Sequence, residues 1–139
     1  MSVKSDWYDC DWLTGGRRLI VQKFSKHWTL EEFSQDVDNG NALIHSVPYT
    51  VDLVLDMSEA NTIPDKFFRL GNQALRKRPN NAGILVVATQ NMFISRLVTA
   101  LMKIYSSDSN FRFASDLPSA LEVVRAYREE HGYPNDEQA

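Results

Sequence analysis

The 139-residue chain contains a single cysteine, Cys10. One thiol forms no internal disulfide and no thiolate metal cluster, and such scarcity suits a reducing, cytoplasmic setting. No run of residues approaches the roughly 18 apolar positions that a bilayer crossing needs. Residues 1–6 lack the apolar core of a signal peptide. An excess of positive charge is also missing: 15 Lys and Arg stand against 18 Asp and Glu, a formal charge of −3. The bulk field therefore does not favour nucleic acid. No Gly-x-Gly-x-x-Gly follows a strand and no Gly-x-x-x-x-Gly-Lys occurs, which removes dinucleotide and P-loop sites. The three histidines and scattered carboxylates lack metal-ligand spacing, so neither a metal nor a cofactor is expected. Repeats of 20–50 residues and low-complexity blocks are absent as well.

What remains is an ordinary globular composition, 43% hydrophobic and 24% charged, at the length of one domain. We expect a single domain over residues 1–139, with its core at about 17–130 and a flexible tail at 134–139. Residues 7–24 read as a hairpin turning at Thr14-Gly15-Gly16, where paired glycines supply positive φ. Trp7 and Trp12 would cover its outer, edge strand, and Leu19, Ile20 and Val21 place the return strand inside the sheet. Thr29 and Glu32 form a capping box that opens a helix with Leu30, Phe33 and Val37 inward. Residues 38–41, Asp-Asn-Gly-Asn, are expected to weaken or end that helix, and 42–45 to continue it after a kink. Residues 51–55 and 83–88 are strand-length apolar runs. Pro64 is expected in the first turn of the helix between them, whose buried side carries Phe67, Phe68, Leu70, Gly71, Ala74 and Leu75. Thr89-Gln90-Asn91 caps a helix from Met92 to about Tyr105, Phe111–Ala114 is a short strand, and Ser115-Asp116 caps a last helix over 117–130.

This order, a hairpin followed by α-β-α-β-α-β-α, predicts an α/β fold. Its sheet is mostly parallel and four-stranded, with an added N-terminal antiparallel edge strand and helices packed on it. The turns after the parallel strands gather at the sheet's carboxyl edge, where open α/β folds bind ligands. They hold His27, Asp56, Ser58, Thr89 and Gln90. Capping of the following helices is an equally direct use for Asp56, Ser58 and Thr89. His27, Asp56 and Ser58 can be drawn as a hydrolytic triad, but no Gly-x-Ser-x-Gly elbow supports one. A phospho-receiver would place its aspartate at Asp56 and its threonine at Thr89. It also needs an acidic pair where Ser25-Lys26-His27 stands and a lysine where Ser115-Asp116 stands, so neither Mg²⁺ nor a phosphoryl group would be held. Arg69, Arg76, Lys77 and Arg78 crowd a helix end, where cations are stabilising in themselves.

The helix Met92–Tyr105 carries two adjoining apolar stripes. One is Phe93, Leu97, Leu101 and Ile104; the other is Ile94, Val98, Met102 and Tyr105. That arc is wider than one sheet face requires. Either a neighbouring helix covers the excess or a partner does, so Phe93, Ile94, Val98, Met102 and Tyr105 are the candidate interface.

The run Asp56-Met-Ser-Glu-Ala-Asn-Thr-Ile-Pro-Asp65 ahead of a helix, with this strand order, resembles the STAS domain of anti-sigma-factor antagonists. Those proteins carry a strand ending in Asp-Leu-Ser, then Ile-Asp-Ser-Ser-Gly at a helix start. The resemblance covers about residues 17–130 and implies a βα superhelix. It also implies a serine phosphorylated by a kinase, but aligning Asp56 and Ser58 puts Asp65 at the acceptor serine and Phe67 at the glycine. The chain is thus closer to STAS-like proteins of unassigned function, without the phospho-switch. We expect a non-enzymatic protein-interaction or regulatory domain that is cytoplasmic and binds neither membrane nor nucleic acid. Its partner would be a protein or a second copy. The alternative is a small-ligand or anion binder using His27, Asp56, Ser58, Asp65, Thr89 and Gln90.

Overall fold

A computed structural model describes residues 3–4, 9–12, 18–105 and 111–133, with side chains for 18–103 and 111–133. In chain order the elements are β1 (Val3–Lys4), β2 (Asp9–Trp12), β3 (Leu19–Lys23), α1 (Leu30–His45) and β4 (Val51–Asp56). They continue with α2 (Phe67–Arg76), β5 (Ala82–Ala88), α3 (Met92–Tyr105), β6 (Phe111–Ala114) and α4 (Leu117–His131). The strands form one sheet in the order β1-β2-β3-β4-β5-β6, with β3 to β6 parallel. The expected antiparallel strand is β2, but it is not the edge: β1 pairs outside it, Val3 opposite Cys10. The Gly15-Gly16 turn, Trp7, the Trp12 side chain and the 134–139 tail lie outside the described residues.

Strands laid down in sequence order by crossovers of one hand put the connecting helices on one face. Phe33 of α1, Phe67 of α2 and Ile94 of α3 accordingly share a core with Phe24, Met57, Leu85 and Val87. The last helix described, α4, covers the opposite face. There Ala120 and Val124 meet Leu19, Val54, Ile84 and Val86. Alternation along β4 and β5 divides their side chains between the two cores, as a strand buried on both faces must.

Two local expectations are corrected. The first is α1, which runs unbroken through Asp38, Asn39, Gly40 and Asn41. A mid-helix glycine costs about 1 kcal/mol, but tertiary ties outweigh it. Gly40 is buried, Asn41 Nδ2 donates to the Lys77 carbonyl at 3.4 Å, and Asn81 Nδ2 reaches the carbonyls of Ile44, Val47 and Tyr49 at 2.9, 3.1 and 2.9 Å. The second is Pro64, which lies ahead of α2 rather than in its first turn. Lys66 takes a left-handed φ of 71°, so the helix cannot extend back through it and begins at Phe67.

Candidate functional site

At the sheet's carboxyl edge the main-chain ladder extends one step past the strands. Phe24 N–H donates to Asp56 O, Met57 N–H to Ala88 O, and Thr89 N–H to Ala114 O, each at 2.9 Å. The three turns therefore sit level. Asp56 ends β4 and is 3% exposed. Its Oδ1 accepts the Ser58 amide at 3.2 Å and the Ser58 hydroxyl at 2.6 Å. Ser58 thus donates to the carboxylate directly, not to an imidazole, so a serine–histidine–aspartate relay is not made. Thr89 is buried, and its Oγ1 accepts the Asn91 amide at 3.0 Å. Asn91 Oδ1 in turn caps α3, accepting Phe93 N–H at 2.9 Å and Ile94 N–H at 3.2 Å. Asp116 Oδ1 accepts Ser119 N–H at 2.9 Å, and that bond holds its carboxyl below the usual range. Of the six candidate binding residues, Asp56 and Ser58 are brought into contact and Thr89 serves a turn. His27, Asp65 and Gln90 are exposed. Among the described residues no cluster of His, Cys, Asp and Glu could hold a metal, and no helix is long and apolar enough to cross a membrane.

This edge also presents apolar side chains. Met92 and Phe93, the first two residues of α3, are 67% and 64% exposed beside Gln90. No protein-family model, curated protein or solved structure matches the chain. The other interface candidates divide differently. Ile94 (0% exposed) and Val98 (6%) belong to the core, so they offer no surface to a partner. The width of the apolar arc is explained internally: α2 covers it, closely enough that a Cβ on Gly71 would lie 2.8 Å from Leu101 Cδ2. Met102 is half-buried, and the Tyr105 side chain lies outside those described.

Sequence reasoning missed a buried ion pair on the other face. Asp52 (0% exposed) lies within β4, and Arg128 (1%) extends the inward stripe of Ala120 and Val124 by one turn. Arg128 Nε donates to Asp52 Oδ2 at 2.5 Å, and its Nη2 to the carbonyls of Arg18 and Thr50 at 3.0 and 3.2 Å. Asp52 Oδ1 also accepts Ile84 N–H at 2.7 Å. This occurs at a bulge: Val51 pairs with Ala82 and Leu53 with Leu85, so Asp52 alone faces both Gly83 and Ile84. The carboxylate replaces the ladder bond that the bulge removes. A Cβ on Gly83 would lie 2.1 Å from Asp52 Oδ1, which explains glycine there. Burial pushes the Asp52 carboxyl above its ordinary range, opposed by the Arg128 charge and the Ile84 hydrogen bond. Two signals pointed to this pair, a charge inside an apolar strand and an arginine on the inward stripe of the last helix.

Proposed function

We propose that this chain is a non-enzymatic protein-interaction domain of regulatory role, docking a protein partner through the carboxyl edge of its sheet with Met92 and Phe93 as anchors. One observation carries the proposal: two large apolar side chains stand adjacent and mostly exposed among polar turns. Such pairs serve as anchors when a partner's pocket desolvates them. The buried polar groups of these turns are occupied. Asp56 is bonded by Ser58 and Thr89 by Asn91, which counts against these turns as a small-ligand or anion site. The STAS-like reading is supported by the sequential strand order and by α1 to α3 sharing one face, the layout of a βα superhelix. Under it Asp65, exposed just ahead of α2, stands where the signalling members carry their acceptor serine. Binding by this domain would then be constitutive with respect to that position.

A photo-crosslinking residue at position 93, compared with one at exposed position 130, tests this in cells making the chain at its native level. A discrete adduct from 93, absent from 130 and weakened by Met92→Glu, is expected. Silence from 93, or the same adducts from both positions, would count against docking at this edge.

A further inference from the structure

The charges of this chain are divided along its length. Residues 27–65 hold eight Asp and Glu with no Lys or Arg, and residues 66–105 hold seven Lys and Arg with no Asp or Glu. The first block contains α1 and the second contains α2 and α3, so the three-helix face sets an acidic helix beside two basic ones. The outward stripes of α1 and α2 follow one pattern. Glu31, Gln35 and Asp38 are exposed on α1, and Arg69, Gln73 and Arg76 are exposed on α2. Both sets are spaced i, i+4, i+7, which keeps them on one side of a helix with the end charges about 10.5 Å apart.

Both helices start at the carboxyl edge and run back against parallel strands, so they point the same way. The patterns begin at the second residue of α1 and the third of α2. The helices are neighbours, joined where Asn41 Nδ2 donates to the Lys77 carbonyl. Even so, none of these four charged residues forms an ion pair with another described residue. The helix dipole accounts for Glu31 and Arg76, but it opposes Arg69, a cation in the first turn of α2, and does not reach Asp38 in mid-helix.

We infer that the α1–α2 face binds a second copy of this chain, in a two-fold dimer whose axis runs along the groove between the two helices. A half-turn about that axis preserves depth along the helices and lays α1 of each copy over α2 of the other. Glu31 then meets the partner's Arg69, Gln35 the partner's Gln73, and Asp38 the partner's Arg76. Each contact occurs twice, so four ion pairs and two amide pairs close the dimer. Val37, Leu70 and Ala74, half-buried between the helices, add a narrow apolar strip at the axis. Exposed ion pairs are singly weak and screened by salt, so the dimer forms in concentrated protein and dissociates on dilution. Met92 and Phe93 lie outside this face, which therefore stands or falls apart from docking at the carboxyl edge.

Sedimentation equilibrium of the purified full chain, over a range of concentrations, tests this. A dimer is expected in about 0.01 M salt and a monomer in about 1 M, where the screening length falls from about 30 Å to about 3 Å. Glu31→Arg with Asp38→Arg makes both stripes basic, and Arg69→Glu with Arg76→Glu makes both acidic. Each variant alone should self-associate about tenfold or more weakly than wild type, and an equal mixture of the two should restore the dimer. If a reversal does not fold, Glu31→Gln with Asp38→Asn makes the weakening test alone. A wild type that stays monomeric in low salt, a dimer indifferent to salt, variants that self-associate like wild type, or a mixture that stays monomeric would overturn the inference.

Discussion

Replacing Arg128 by methionine keeps a long side chain and removes the guanidinium that pairs with Asp52 Oδ2. Both partners are almost wholly buried, at 2% and 1% side-chain exposure, so solvent does not screen the loss. Breaking such a pair from one side costs about 3–5 kcal/mol. Of the two carbonyls that Arg128 also reaches, Arg18 O keeps a partner, accepting Asp52 N–H at 3.0 Å. Against a typical total of about 5–15 kcal/mol, the variant is left marginal. For a domain of this length that corresponds to a melting point lowered by roughly 10–20 °C. The loss should also depend on pH. Burial already raises the Asp52 carboxyl, with Arg128 the chief opposing influence, so its removal lets the carboxyl rise further and take up a proton. The variant should therefore lose less at pH 5 than at pH 8. Asp52→Leu with Arg128→Met removes both charges and should recover part of the loss. A deficit of about 1–3 kcal/mol remains because Ile84 N–H then lacks its acceptor. Urea unfolding followed by circular dichroism at both pH values, over the full mutant cycle, measures all of this. An Arg128→Met cost below about 1 kcal/mol, or one equal at the two pH values, would refute the reasoning.

In the wild-type chain the sign follows from the same cause. A carboxyl whose folded pKa is raised binds its proton more firmly when folded, so its contribution to stability falls as pH climbs from about 4 through the raised value. Unfolding free energies for wild type minus Asp52→Asn should decline over that range. Gly83→Ala forces a methyl against Asp52 Oδ1 and Thr50 Cγ2, at 2.1 and 2.8 Å before relaxation, and should cost about 1–3 kcal/mol by thermal denaturation. Lys66→Gly relieves a left-handed backbone and should raise stability by about 1 kcal/mol in the same assay.

Elements whose signal is local were legible in the sequence. Residues 83–88 form an unbroken apolar run inside β5, and α3 and β6 have the bounds that periodicity and capping predict. Thr29 caps α1 as its motif requires, with Glu32 Oε1 accepting from the Thr29 hydroxyl at 2.9 Å. Features set by distant partners were not legible. The continuity of α1 depends on Asn81, 37 residues beyond Ile44. The Asp52–Arg128 pair spans 76 residues, and nothing near either residue names the other. For the candidate site, the turns were placed correctly, but two of the five interface candidates, Ile94 and Val98, are core. A wide apolar arc does not distinguish cover by α2 from cover by a partner. Exposure alone separates Phe93 from Ile94, its neighbour in the chain.

The size of the particle in which the chain travels, measured by sedimentation velocity in extract from cells making it at native level, tests docking at the carboxyl edge most directly. The wild type should sediment well above the 15.9 kDa of one chain. Phe93→Glu, at a position 64% exposed, should leave the circular dichroism and melting point unchanged and return the chain to monomer size. A wild type that sediments as a monomer, or a complex untouched by Phe93→Glu, would contradict the account.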